Sequence, residues 1–188
     1  MSPAFFDDGE LAVIAAAVDR VVPGGAAAGV GDYIDALLGA FSFDPPRLFA
    51  GGPFSGRHGG EAGFDRWIAP NAPQEVGWRI RIEGTRGMTE RTFNGEQRGW
   101  QDEYRDALVA LGADFVAAPS DEQDRRLDAV PAFKRILYVH ACEGMYGDPV
   151  YGGNRDRAGW QAIDYVGDIQ PRGYTDAEVS QREKTPIE

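Results

Sequence analysis

The chain contains very little lysine, histidine or cysteine. Among its 188 residues, lysine occurs only at Lys134 and Lys184, histidine only at His58 and His140, and cysteine only at Cys142. A single cysteine excludes an internal disulfide and a cysteine-rich metal site. Two histidines argue against a zinc site, which usually draws on several His or Cys ligands. We interpret Cys142 as a buried, inert thiol, with a thiol at a subunit interface as the alternative.

Positive charge and long apolar runs are also scarce. The formal net charge is −11 and the sequence pI is about 4.6, which argues against nucleic acid and against an anionic membrane surface as partners. No apolar run approaches the roughly 20 residues of a membrane helix. The apolar N-terminal stretch is preceded by acidic residues rather than a basic region, so it does not resemble a secretory signal. A cytoplasmic location is the prediction for the chain as written.

Motifs that carry catalysis are absent as well. There is no GxGxxG after a strand, no phosphate-binding loop and no GxSxG turn. His140 shares part of a helix face with Glu143, but a lone histidine on an apolar face is more often structural than a metal ligand. His58 lies in a glycine-rich loop, and no two carboxylates stand out as an acid/base pair. A binding or accessory role is therefore favoured over catalysis.

Apolar residues recur at helical spacing through much of the chain, which predicts one compact, mostly α domain over residues 1–188 with long Gly/Pro-rich loops. Helices are expected at 8–22, capped by Asp7 or Asp8, at 30–41, at 97–112, and from Pro131 towards Gly144. Ser120 and Gln123 predict a capping box for a further helix.

Two segments are harder to assign. Residues 76–82 alternate between apolar and polar, which indicates a strand, whereas Pro73 followed by Gln74 and Glu75 indicates a helix start. Residues 42–73 are rich in proline, glycine and aromatic side chains. A loop of that length is usually functional or supported by a partner.

The tract from His140 to Asp176 is dense in glycine, tyrosine, aspartate and arginine. Its glycines permit left-handed backbone or close approach, and Asn154 and Asp156 are expected to lock Arg155 by hydrogen bonds. A new element is expected from Gly159, with Ile163 on its core side. The segment 148–156 is either a rigid loop that braces its own domain or a preformed surface for a partner or a sugar. The candidate binding residues are Tyr151, Gly152, Gly153, Asn154, Arg155, Asp156 and Trp160.

The run GMYGDPVYGGNRDRAGWQAIDYVGD, followed by PRGYTD, resembles the C-terminal signature of the gluconate 2-dehydrogenase subunit 3 family. The N-terminal half is similar too, with an apolar helix leading into Val21-Val22-Pro23 and then VGDYID at 30–35. The resemblance brackets nearly the whole chain. It implies a small, mostly helical, non-catalytic subunit of a sugar or sugar-acid dehydrogenase.

The resemblance also implies partners. Family members accompany a large flavoprotein of the glucose–methanol–choline type, which binds FAD and carries out the oxidation, and a cytochrome c is often the next electron carrier. The small subunit helps to mature or stabilise the large one, and in many members it carries a twin-arginine export signal. No such signal precedes Phe5, so we expect a cytoplasmic complex, or a periplasmic one if a partner directs export.

Two other functions remain open on the sequence. One is a stand-alone sugar-binding or scaffolding module, and the other is an enzyme that uses carboxylates on its long loops. A yellow complex with a much larger chain distinguishes the subunit from both, since the module is a colourless monomer that binds a sugar and the enzyme turns over alone.

Overall fold

Helices account for the regular structure of the chain. The computed structural model describes residues 4–50, residues 67–167 and position 177, and within these it contains seven α-helices and no sheet. The predicted mostly α fold is thereby confirmed. The helices are α1 (Asp8–Val21), α2 (Val30–Leu38), α3 (Ala72–Glu83), α4 (Trp100–Leu111), α5 (Ser120–Asp128), α6 (Pro131–Tyr146) and α7 (Ala158–Ala162).

Two helix starts are set by reciprocal side-chain caps. At α1, Asp7 accepts a hydrogen bond from the Glu10 amide at 2.8 Å, and Glu10 accepts one from the Asp7 amide at 2.9 Å. At α3, Asn71 and Gln74 make the same pair of bonds, each at 3.0 Å. Each pair satisfies backbone donors that the first helical turn leaves without partners. Residues 76–82 are therefore helical, and the alternating pattern that indicated a strand was misleading.

Two sequence predictions were wrong. Ser120 does not cap α5, because the helix begins at Ser120 itself, after Pro119, and the Gln123 side chain instead donates to the Phe115 carbonyl at 2.9 Å. Ile163 does not face the core. It follows the short helix α7 and is 56 % exposed.

The core forms where α6 packs against α1, α2, α4 and α5, with α1 also packed on α2. Gly144 lets α6 approach α2 closely, because a Cβ there would lie 2.7 Å from the Tyr33 ring. Burying large side chains of this kind contributes about 1.5–3 kcal/mol each. Fully buried members of the core include Ile14, Val18, Ile34, Leu38, Tyr104, Leu111, Phe115, Leu127 and Leu137.

The segment before α1 is fastened to α2 by one carboxylate. Asp35 is 6 % exposed and accepts hydrogen bonds from the backbone amides of Ala4, Phe5 and Phe6, at 2.6, 2.9 and 2.9 Å. A buried carboxylate is stable only when such donors compensate its lost hydration. The N-terminal segment therefore holds a fixed position against α2.

The loop predicted at 42–73 is described at its two ends. A short 3-10 turn at Ala40–Ser42 follows α2, and the amide of Ile68 donates to the carbonyl of Phe49 at 2.8 Å. His58 and the rest of 51–66 lie outside the described residues. None of the helices in the described part of the chain is long and apolar enough to span a bilayer.

Candidate functional site

The segment after α6, residues 148–160, is called the motif below. It contains two tight turns, at Pro149–Tyr151 and Arg155–Arg157. Asp148 starts the first turn by accepting the Val150 amide at 2.9 Å. Gly152 has φ +101°, and the left-handed region is also occupied by Asn154, Asp156 and Arg157. Left-handed backbone at non-glycine residues costs about 1–3 kcal/mol each and persists only where the surroundings hold it in place.

Two glycines let the motif lie directly on the end of α6. A Cβ on Gly153 would overlap the Gly144 carbonyl oxygen, and one on Gly159 would overlap the Met145 carbonyl oxygen. No side chain larger than hydrogen fits at either position. Gly153 and Gly159 are therefore required for close backbone packing.

Asn154 and Trp160 fasten the motif from inside. Asn154 is fully buried; its Nδ2 donates to the Gly147 carbonyl at 2.8 Å, and its Oδ1 accepts from the Gly159 amide at 2.9 Å. Trp160 is 5 % exposed, and its Nε1 donates to the Tyr146 carbonyl at 2.8 Å. These two predicted binding residues brace their own fold.

Arg155 is held by a residue that is distant in sequence. Its Nη2 lies 2.7 Å from Asp32 Oδ2 on α2, and its amide donates to the Ala28 carbonyl at 2.8 Å. The expectation that Asn154 and Asp156 lock its side chain was wrong, because Asn154 points inward to the end of α6. Asp156 is exposed.

Tyr151, Gly152 and Arg155 form part of the wall of a large cavity, with a volume of about 1150 Å³. The other walls come from α2, the segment after it, α3, the start of α4 and the end of α6. Aromatic side chains dominate the lining: Tyr33, Phe43, Trp67, Trp78, Trp100, Tyr146 and Tyr151. The rings meet edge to face, with 5.6 Å between the Trp67 and Tyr151 centroids and 6.4 Å between those of Trp78 and Trp100.

The polar groups of the cavity are mostly engaged within the chain. Tyr33 donates its hydroxyl to Glu143 at 3.1 Å, and burial together with the nearby Glu143 carboxylate raises the pKa of Tyr33 well above its usual range. The Tyr151 hydroxyl accepts from the Ala50 amide at 3.2 Å. Tyr33 therefore stays protonated at neutral pH, and both hydroxyls are held in fixed hydrogen bonds.

The model of the family Gluconate 2-dehydrogenase subunit 3 matches residues 8–167. The chain belongs to this family. The match spans all seven described helices and the motif at 148–160. No curated protein and no solved structure matches the chain.

Membership of the subunit 3 family identifies the chain as a small subunit of a dehydrogenase complex and implies partnership with the other subunits. The resemblance drawn from the motif is thereby confirmed. The part of the signature from residue 168 onward, including PRGYTD, lies outside the described residues.

His140 lies beneath the cavity and does not line it. It is 2 % exposed, its Nδ1 shares a 3.0 Å hydrogen bond with the Tyr104 hydroxyl, and its ring meets Trp100 edge-on at 4.6 Å. Burial lowers its pKa to about 4. Among the described residues, no group of three His, Cys, Asp or Glu side chains is placed to hold a metal ion.

Several cavity residues were not among the predicted binding residues. Trp78, Arg81 and Trp100 lie on α3 and α4, far along the sequence from the motif. The sequence feature that could have identified these residues was the high density of tryptophan and arginine between residues 67 and 100. Cys142, expected to be buried, is half-buried and lines the cavity.

Proposed function

We propose that this chain is the non-catalytic small subunit of an FAD-dependent sugar or sugar-acid dehydrogenase. It stabilises or matures a large flavoprotein subunit of the glucose–methanol–choline type. The observation that carries the proposal is the family match over residues 8–167. FAD held by the large subunit would supply the hydride acceptor for oxidation of the hydroxyl, and a cytochrome c is the expected next carrier.

In this proposal, the role of the chain's own residues is to present a rigid surface. The motif is fastened to α6 by Asn154 and Trp160, so that Tyr151, Gly152 and Arg155 face the cavity in fixed positions. A surface that is already ordered loses less conformational entropy on binding than a flexible one. We propose that these cavity-facing residues of the motif contact the large subunit, while its buried residues hold the contact surface in shape.

A second surface leads into the same cavity. Tyr138, Cys142 and Tyr146 are spaced four residues apart on α6 and so lie on one face, which we call the α6 stripe. Tyr138 is 53 % exposed and Tyr146 is 41 % exposed, and Cys142 and Tyr146 also line the cavity. Aromatic side chains exposed in one continuous row are typical of protein interfaces.

Purification of the tagged chain from its own organism tests the proposal. We expect a larger chain to co-purify in fixed stoichiometry, with flavin absorbance and sugar-dependent reduction of an electron acceptor. A colourless monomer that binds a sugar, or turnover by the isolated chain, would contradict the proposal. A large chain that co-purifies without flavin would not support it.

Two substitutions test the motif as the contact. Tyr151→Ala and Arg155→Ala are expected to reduce co-purification of the large subunit and its FAD content. The fold should be little affected, because the Arg155–Asp32 pair is about half exposed and such pairs contribute about 0–1 kcal/mol. Arg98→Ala is the control, because Arg98 is likewise exposed and paired, with Glu103 and Asp106, but lies outside the cavity. Unchanged co-purification in both cavity variants would rule out contact through the motif.

A further inference from the structure

The cavity lies at the upper end of the size range of ligand sites. Its volume of about 1150 Å³ is slightly above the roughly 300–1,000 Å³ of ordinary ligand pockets. Three of the chain's four tryptophans, Trp67, Trp78 and Trp100, line it. Walls of this size and aromatic content suit the side chains of a polypeptide, which bury tryptophan at the centres of interfaces.

The carboxylates of the cavity are already used within the chain. Asp35 accepts three backbone amides, Asp32 pairs with Arg155, Glu143 accepts the Tyr33 hydroxyl, and Asp148 accepts the Val150 amide. Each negative charge on the cavity wall is thus partly compensated by a donor of the protein itself. These carboxylates therefore contribute less to the electrostatic potential of the cavity than the net charge of −11 suggests.

Arg81 stands out among the positive charges of the cavity. It lies in the last turn of α3, exposed, with its guanidinium 5.3 Å from the centroid of the Trp78 ring. Within the described part of the chain it forms no ion pair, whereas Arg79 on the same helix is held between Glu75 and Glu83 at 2.8 Å each. Stacking on an aromatic ring leaves the edge of a guanidinium available for a carboxylate.

We propose that this cavity receives an extended segment of the large dehydrogenase subunit that carries a carboxylate next to an aromatic or aliphatic side chain. The carboxylate pairs with Arg81, and the apolar side chain packs between the tryptophan rings. This inference rests on the proposed function and identifies the kind of segment that the partner inserts. A second copy of this acidic chain is disfavoured as the occupant by charge repulsion.

Tryptophan fluorescence provides a direct measurement. In the free chain we expect acrylamide to quench the emission of Trp67, Trp78 and Trp100, and to spare Trp160, which is 5 % exposed. In the purified complex the quenching constant of these residues should fall several-fold. Variants of this chain that retain one tryptophan each, combined with a tryptophan-free large subunit, assign the emission to single residues. Cavity tryptophans that remain equally quenchable in the complex would overturn the proposal.

The matching substitution is Arg81→Glu, which should weaken the complex by at least about tenfold because it places two like charges together. Arg81→Lys, which keeps the charge, should weaken it less. Arg125→Glu is the control, because Arg125 is exposed on α5, outside the cavity, and the change in net charge is the same. Circular dichroism and urea unfolding check that all three variants fold.

The outcomes separate this inference from the function on which it rests. If the wild-type chain binds no flavoprotein, the proposed function fails and this inference fails with it. If the complex forms and Arg81→Glu binds as tightly as wild type, only this inference fails. Protection of the tryptophans in the free chain by gluconate would identify a sugar-acid site, and a dimer that Arg81→Glu dissociates would identify a second copy; either result overturns the proposal.

Discussion

At the scale of single residues, His140 links stability to pH. It lies buried against Tyr104 and Trp100, and burial lowers its pKa from 6.5 to about 4. The unfolded chain therefore binds this proton more tightly than the folded chain, so the free energy of unfolding falls as the pH drops from about 6.5 towards 4. We expect a loss of about 2 kcal/mol between pH 7 and pH 5, measured by urea unfolding.

His140→Gln is the control for this pH dependence. The chain has only one other histidine, His58, so the substitution should remove most of the slope in this pH range. A variant that keeps the wild-type slope would show that another group is responsible.

A second prediction concerns the stability of variants at Gly153 and Gly159. Alanine at either position would overlap a carbonyl oxygen of α6, so each substitution should cost about 2 kcal/mol or more, as overpacking does. Gly77→Ala is the matched control, because Gly77 lies within α3 with nothing within 4 Å of its Cβ position. That change should stabilise the chain by about 0.5–1 kcal/mol. Thermal unfolding of the three variants measures the contrast; equal losses would contradict it.

The sequence was informative about residues whose requirements are local. Glycines in the motif predicted close backbone approach, and Gly153 shows it. The partner of Arg155 was not predictable, because Asp32 lies on α2 and meets Arg155 only after α2 and α6 have packed. The sequence also left open whether the motif braces or binds. In the structure Asn154 and Trp160 hydrogen-bond to the end of α6 and Tyr151 lines the cavity, so binding by the motif stays a prediction.

At the scale of elements, Asp35 holds the N-terminal segment against α2. Asp35→Asn would place an amide donor against backbone donors, and we expect a loss of about 2 kcal/mol, since hydrogen bonds to charged groups contribute roughly 1.5–3 kcal/mol. Amide hydrogen exchange should rise among Ala4, Phe5 and Phe6, because the one oxygen that remains cannot accept from all three amides. Asp106→Asn is the control, because Asp106 is exposed on α4. Unaltered exchange at all three amides would contradict the prediction.

Helix positions followed from apolar spacing, but some helix starts did not. The Asn71–Gln74 cap accompanies the start of the helix that contains 76–82, whereas the same kind of motif at Ser120 forms no cap because α5 begins at Ser120 itself and Pro119 occupies the cap position. A capping sequence predicts a cap only when the helix begins directly after the capping residue.

At the scale of the whole molecule, the cavity exists only because distant segments meet. Trp67 precedes α3, Trp78 lies on it, Trp100 begins α4 and Tyr151 follows α6. Apolar periodicity identifies each helix, but it does not show which helix faces meet. The sequence therefore predicted only the part of the cavity wall that the motif forms. A surface shared by so many elements forms only in the folded chain, so the large subunit is expected to bind the folded small subunit.

The α6 stripe provides the last prediction. Tyr138→Lys makes this face polar. The Tyr138 side chain is 53 % exposed, so the free energy of unfolding should change by less than about 0.5 kcal/mol. The affinity for the large subunit should fall by at least about tenfold, because a charge replaces apolar area that the interface buries.

Val109→Lys is the control for the stripe variant, because Val109 is 85 % exposed on α4 and does not line the cavity. It should leave the affinity unchanged. Pull-down of the flavin-containing complex and its dissociation constant measure both variants. If the stripe variant binds like wild type while Arg81→Glu does not, the large subunit contacts the cavity without covering α6. If Val109→Lys weakens the complex equally, the loss of affinity is a general effect of the added charge and does not identify the stripe as the contact surface.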